Sequence, residues 1–282
     1  MKKQILDISV IIPFKDKSAM TIDCVESFLE YGPSVKEILL ISNNSSDEEV
    51  TKINDYTTRH AELVKVLEYN HPFNYQKINN WAVKQSVGKT IMFLNNDTEL
   101  RPNSVGLIEK MYKKSQQKDV GIVGCLLLYG DEKTIQHAGV YLMPEGMADH
   151  MYITKRYSAA LARTNKEEFP YDITVDRKMT AVTGAVNLVS RDKFEKVGTF
   201  DERILIGGGD VDLCIRLNKA GYQTWFVAGG YILHKESQSR KKISITYNDF
   251  YWSYLSYITA YDPKVGDPFL PEITKKIRIY GA

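Results

Sequence analysis

Short, nearly continuous apolar runs alternate with segments whose apolar residues recur at three- and four-residue spacing through the N-terminal half of the chain. Ile8-Ser9-Val10-Ile11-Ile12 predicts a buried strand stopped by Pro13, and Met20, Cys24, Phe28 and Tyr31 predict a helix over 18–31 closed by Gly32-Pro33. A strand over 37–41, a polar turn from Ser42 to Asp47, a helix to about residue 58 and a strand over 64–67 follow. Asn74 is a candidate N-cap for a helix running to 87, with Gly88 at its C-terminal end. The next apolar run, 90–94, ends abruptly at Asn95-Asn96-Asp97.

Strands that are apolar throughout and separated by helices predict an α/β chain whose mostly parallel, Rossmann-like sheet is covered on both faces. Ligands bind such sheets beyond the carboxyl ends of the strands. Those ends carry Phe14-Lys15-Asp16, Asn43-Asn44 and Asn95-Asn96-Asp97, so three polar clusters converge on one edge.

The C-terminal half is less regular. Strand character is predicted over 120–129, 135–142, 181–189 and 224–227, with a short helix over 192–197 and another over 210–220. Residues 144–177 show no period and read as a variable, partly ordered insertion; Gly207-Gly208-Gly209 reads as a flexible loop. A further strand-like run, Gly229 to Leu233, ends at His234. No internal repeat or low-complexity tract is visible.

Composition narrows the field. The 282 residues are 43% hydrophobic and 26% charged, the balance of a water-soluble globular protein, and a formal charge of +2 gives no global field for a nucleic-acid partner. Cys24, Cys125 and Cys214 are far apart and form no CxxC pair, so they are expected to be reduced core residues. The apolar run near Met1 is too short for a signal peptide, and no run approaches the ~20 residues of a membrane span, so a cytoplasmic location is expected.

The polar residues suit group transfer from a diphosphate, which needs a hold on the nucleotide, a divalent cation on the leaving group and a base for the acceptor. Asp97, one step past a buried strand, suits Mn2+ or Mg2+; the plain alternative is an Asx turn. Asp210, after three glycines at a helix start, suits a general base and equally an N-cap. His234 suits a supplementary metal ligand or a buried structural histidine. Arg240-Lys241-Lys242 could neutralise a diphosphate or form a solvated face.

In order along the chain stand Ser9-Val10-Ile11-Ile12-Pro13-Phe14-Lys15-Asp16, Asn43-Asn44-Ser45-Ser46-Asp47, Pro72-Phe73-Asn74-Tyr75, Ile78-Asn79-Asn80 and Phe93-Leu94-Asn95-Asn96-Asp97. Gln136-His137-Ala138-Gly139-Val140, Thr183-Gly184-Ala185, Gly198-Thr199-Phe200-Asp201-Glu202, Gly209-Asp210-Val211-Asp212 and His234-Lys235-Glu236-Ser237 continue the series. Over about residues 7–242 the ordered set resembles the inverting family-two glycosyltransferases of GT-A fold, in particular bacterial polysaccharide and O-antigen enzymes of rhamnosyltransferase-like type. The resemblance implies a catalytic domain over 1–242, with a nucleotide-binding half to 97 and an acceptor half from 98, and a helical extension over 243–282.

It further implies that Asp97 is the last acid of a DxD metal motif whose first position is Asn95, that His234 is a late metal ligand, and that Asp210 is the base. Pro13, Phe14, Asp16, Asn43, Asn80, Asn95, Asn96 and Arg240 fall on the donor side, with Asn43 where an acid often meets the base imide; Gly208, Gly209 and Asp212 fall on the acceptor side. The implied partners are a UDP- or dTDP-sugar and a glycan or lipid-linked glycan. Lys15 replaces a base-stacking Tyr and Gly209 an acid, two departures from the family pattern.

Two competitors remain. A sugar nucleotidyltransferase would carry a glycine-rich basic loop after the first strand, and Pro13-Phe14-Lys15-Asp16-Lys17 has no glycine. A catalytically inactive carbohydrate-binding protein on the same fold draws support from Asn95, but retains Asp97, Asp210 and His234 without a use for them. Near the C-terminus, Tyr247, Phe250, Tyr251, Tyr254, Tyr257, Ile258 and Tyr261 form an aromatic stripe at helical spacing. The stripe is expected to pack on the catalytic domain; the sharper alternative is contact, with Arg240-Lys241-Lys242, with the inner membrane face.

Overall fold

The structure, a computed structural model, describes residues 4–143, 147–163, 165–235, 246–260 and 267–273. The first half is built of β1 (Leu6–Phe14), α1 (Ser18–Tyr31), β2 (Val35–Ser42), α2 (Asp47–Thr57), β3 (Val64–Glu68), α3 (Tyr75–Gln85), β4 (Thr90–Leu94), β5 (Thr98–Glu99) and α4 (Leu107–Ser115). Next come β6 (Val120–Leu128), β7 (Ile135–His137), β8 (Val140–Leu142), β9 (Ala148–His150), α5 (Tyr157–Ala162) and β10 (Arg177–Met179). The chain continues through β11 (Val186–Ser190), α6 (Arg191–Lys196), α7 (Gly209–Lys219), β12 (Gln223–His234) and α8 (Tyr247–Ile258).

The main sheet has the order β10-β12-β6-β11-β4-β1-β2-β3, with β5 against β12 and β7 against β6. β1 to β4 are parallel neighbours as their apolar runs predict, while β11 lies antiparallel between β4 and β6. Along β1, Val10 and Ile12 enter one apolar layer and Ile11 the other, which is why the strand shows no polar alternation. β1 runs through Pro13 instead of stopping there. Pro13 pairs with Ile41, but the ladder to β4 ends at Ile11, so no strand on that side awaits the missing N–H.

Other expectations are corrected by packing. α3 is capped by the Asn74 side chain on Lys77 N–H, but it ends at Ser86; a Cβ on Gly88 would lie 2.5 Å from Ser9 N, so this glycine serves close approach to β1. The 144–177 insertion is anchored in the core: Met151, Phe169 and Ile173 are buried with Leu128, Ile135 and Phe226. Their irregular spacing gave no periodic signal. The runs at 224–227 and 229–233 are one strand, β12, bulged between Val227 and Tyr231 where Gly229 and Gly230 take positive φ.

All three cysteines are free and buried, and burial pushes each thiol up to about 12, so they are inert core residues. No described helix is long and apolar enough to cross a membrane.

Helix α8 packs only part of the stripe on the domain. Its inward side carries polar Asp249 and Ser253 beside Tyr257, which joins the apolar core around Val211, whereas Tyr247, Phe250, Tyr251 and Ile258 are 79%, 49%, 42% and 40% exposed. Asp249 closes a capping box with Thr246 and accepts the N–H groups of Leu205 and Ile206, and the Ser256 hydroxyl donates to Asp212 at 2.7 Å. Hydrogen bonds and the buried Tyr257 ring hold α8 to the loop before α7 and to α7 itself. Tyr261 and Arg240, Lys241 and Lys242 lie outside the described residues.

Candidate active site

The carboxyl ends of β1, β2 and β4 open into a cleft of about 240 Å³, closed on its far side by Thr183-Gly184-Ala185 and the start of α7. Pro13, Phe14, Asn43, Asn95, Asn96, Asp97, Asp210 and His234 all line it. Three polar clusters and two later motifs, far apart in sequence between Phe14 and His234, thus meet in one place.

Strand pairing explains how Asp97 and His234 come together. β5 follows Asp97 directly and pairs antiparallel with the end of β12, placing His234 opposite Thr98; Lys235 N–H then donates to the Asp97 carbonyl at 2.9 Å. His234 Nε2 lies 3.1 Å from Asp97 Oδ1, and both side chains are buried. Asn95 Nδ2 is 3.3 Å from the same ring nitrogen, while Asn96 Nδ2 donates to Thr21.

One carboxylate oxygen and one imidazole nitrogen, adjacent and facing a cleft, fit a Mn2+ or Mg2+ ion that takes its other ligands from phosphate and water. Among the described residues no group of three or more His, Cys, Asp and Glu could hold a metal by itself. Asp97 and His234 are the residues that could.

Asp210 occupies the first turn of α7, after Gly208 in the left-handed region. Its Oδ2 accepts Gly184 N–H at 2.7 Å and its Oδ1 accepts Val211 N–H at 2.9 Å. Each oxygen keeps a lone pair for a further donor. Gly184 permits this approach: a Cβ there would sit 3.3 Å from Asp210 Cβ. The Tyr75 hydroxyl spans the cleft wall, 3.0 Å from the Gly184 carbonyl and 3.2 Å from Asn95 Oδ1.

Asn43 is fixed in one orientation. Its Nδ2 donates to the carbonyls of Tyr69 and His71, each at 2.9 Å, so the amide must turn its oxygen the other way, where no protein group meets it.

Several expected site residues have other work. Asp16 is absent from the cleft lining; it takes Ser46 N–H on Oδ1, donates its N–H to Ser45, and so ties the β1 turn to the start of α2. Asn80 is buried, exchanging hydrogen bonds with Phe200 N–H and carbonyl and donating to Glu202. Asp212 is spent on Arg216 and Ser256. Gly208 and Gly209 are not an open loop: a Cβ on Gly208 would meet Tyr257 at 2.6 Å, and one on Gly209 would meet Gln76 at 2.3 Å.

In their place the cleft shows Lys15, Phe73 and Tyr75, which stood in the quoted motifs without a site role, together with Lys17 and Gln76. Lys17 had a signal, since it stands in the turn just past the end of β1 at Phe14; Gln76 had none, because a glutamine on a helix face is ordinarily solvent-exposed.

Residues 9–198 match the family described as glycosyl transferase family 2. The chain is 36% identical over 269 residues to O-antigen biosynthesis protein RfbC of Myxococcus xanthus, covering 95% of this chain and 20% of that protein. It is 39% identical over 64 residues to an N-acetylglucosaminyl-diphospho-decaprenol L-rhamnosyltransferase of Mycobacterium tuberculosis, covering 23% of this chain and 21% of that one. The chain thus spans about a fifth of the length of these relatives. Among solved structures, GalNAc-T7 with UDP, GalNAc and Mn2+ superposes with a TM-score of 0.62 at 18% identity, over 82% of this chain and 43% of that one.

Proposed function

The chain belongs to glycosyl transferase family 2 and has the GT-A fold, and from that premise we propose that it moves a sugar from a UDP- or dTDP-sugar to a hydroxyl of a glycan or lipid-linked glycan, with inversion and with Mn2+ or Mg2+ as cofactor. The observation that carries this reading is the convergence of Asn43, the Asp97–His234 pair and Asp210 on one cleft.

Each group has one task. The Asn43 oxygen, buried at the cleft wall without a protein partner, is the group that would accept the N–H of a pyrimidine imide. Lys15 and Lys17, beside the cleft, supply positive charge to the diphosphate. A divalent cation held by Asp97 and His234 would stabilise the charge that builds on the departing diphosphate. Asp210 takes the acceptor's hydroxyl proton as the acceptor oxygen bonds to the anomeric carbon and the bond from that carbon to the diphosphate oxygen breaks. A single displacement from the far side inverts the anomeric centre.

The relatives named for O-antigen biosynthesis and for a polyprenol-linked acceptor support a role in bacterial surface polysaccharide synthesis at the cytoplasmic membrane face. The exposed Tyr247, Phe250 and Tyr251 of α8 favour a lipid-linked acceptor, because aromatic side chains suit the membrane interface. Thermal shift with UDP-sugars, dTDP-rhamnose and GDP-sugars, each with and without Mn2+, tests the reading: one nucleotide class stabilises the protein only with metal. Stabilisation by none of them would contradict it.

A further inference from the structure

The Gln136-His137 motif of β7 has no role in the reaction described above. β6 separates β7 from β12, pairing Leu127 with His137 on one side and Leu128 with Leu233 on the other, and this brings the buried side chain of Gln136 against the ring of His234. Gln136 Oε1 lies 2.6 Å from His234 Nδ1. The Gln136 main chain is fixed in turn, with its carbonyl 3.0 Å from His150 Nδ1.

An amide oxygen only accepts, so the nitrogen it meets carries the proton, and in a neutral imidazole the other nitrogen then carries the lone pair. That other nitrogen, Nε2, faces Asp97 Oδ1 at 3.1 Å and sits 3.3 Å from the Asn95 amide nitrogen, a donor. A neutral ring therefore turns its Nε2 lone pair toward the same point as a lone pair of Asp97, the donor pair a divalent cation takes.

We propose that Gln136 is a positioning residue: by accepting the Nδ1 proton of His234 it fixes the tautomer that presents the Nε2 lone pair, together with Asp97, to the divalent cation. This rests on the metal reading of the site given above. Partners that hold the second nitrogen of a metal-ligating histidine commonly set its affinity.

The test uses the whole chain, labelled with 15N-histidine, as wild type, Gln136→Met (similar in shape, no acceptor) and Gln136→Glu (acceptor retained). Long-range 1H–15N spectra of the metal-free proteins report which His234 nitrogen is protonated, and water-proton relaxation reports Mn2+ affinity with UDP present. The wild type and Gln136→Glu should carry the proton on Nδ1. Gln136→Met should shift it to Nε2 and weaken Mn2+ binding about 10–100-fold, while Gln136→Glu stays within about threefold of wild type. Thermal melting confirms that each variant is folded. A wild-type protein with His234 protonated at Nε2, or a folded Gln136→Met that binds Mn2+ as the wild type does, would overturn the role of Gln136 and leave the metal site standing. A wild type that takes up no Mn2+ would overturn the metal reading and the role of Gln136 with it.

Discussion

Asp210→Asn removes the proposed base while changing almost no volume, and the structure sets what else it disturbs. Both carboxylate oxygens hold backbone N–H groups, Gly184 on Oδ2 and Val211 on Oδ1. An asparagine has one oxygen, so whichever N–H it keeps, its NH2 faces the other donor. One N–H loses its partner, at a cost of about 1–3 kcal/mol of stability, which lowers the melting temperature by several degrees. The catalytic effect is separate and larger: loss of a general base costs about 10²–10⁴ in rate, or roughly 3–5 kcal/mol on the barrier. Initial rates should be measured well below the variant's melting temperature, with donor saturating, alongside a nucleotide titration. kcat should fall by at least about 10², while nucleotide affinity changes little if Asp210 acts on the acceptor as proposed. A folded Asp210→Asn retaining more than about a tenth of wild-type kcat would refute the assignment, and so would a retained anomer in the product by NMR.

Asp97→Ala should abolish Mn2+-assisted turnover and weaken nucleotide binding, and His234→Ala should be milder because water can fill one coordination position; a chelator titration alongside both variants checks this. Asn80→Leu should lower stability by about 2 kcal/mol or more, since Phe200 N–H and carbonyl lose their partner, yet leave nucleotide affinity within about twofold of wild type in a direct titration. Burial pushes the Glu37 carboxyl up, but hydrogen bonds from the Ser9 hydroxyl, Val87 N–H and Lys65 outweigh it and hold the group below its ordinary 4.5. A depressed carboxylate contributes stability above its unfolded pKa that is lost as pH falls through the folded one, so Glu37→Gln should destabilise at neutral pH and flatten the decline of stability below about pH 4.5, as read by urea melts across that range.

The parallel half of the sheet was legible because strands buried on both faces are apolar throughout, and their ends stood out as Asn43-Asn44 and Asn95-Asn96-Asp97 against that background. The direction of β11 was not legible: Val186 to Ser190 is an apolar run that would look the same pointing either way. Motif order located Asp97, Asp210 and His234 at the cleft, yet it also nominated Asn80 and Asp212, whose partners, Phe200 and Ser256, lie far along the chain and leave no local trace. Gln136 was quoted only as part of a motif, because its contact with His234 is made across an intervening strand. The stripe of α8 was visible at helical spacing, but which face turns inward depended on Asp249 and Ser253 finding partners at Leu205 and within the helix.

The central claim is that this cleft breaks the bond between an anomeric carbon and a nucleoside diphosphate with the help of a divalent cation. The most direct measurement is release of nucleoside diphosphate from a panel of UDP-, dTDP- and GDP-sugars, with Mn2+ and with chelator, by the wild type and by Asp97→Ala. Release from a UDP- or dTDP-sugar by the wild type with Mn2+ is expected, with none in chelator and none from Asp97→Ala. Release that survives both chelator and the loss of Asp97, or its absence from every donor although nucleotide binds, would contradict it.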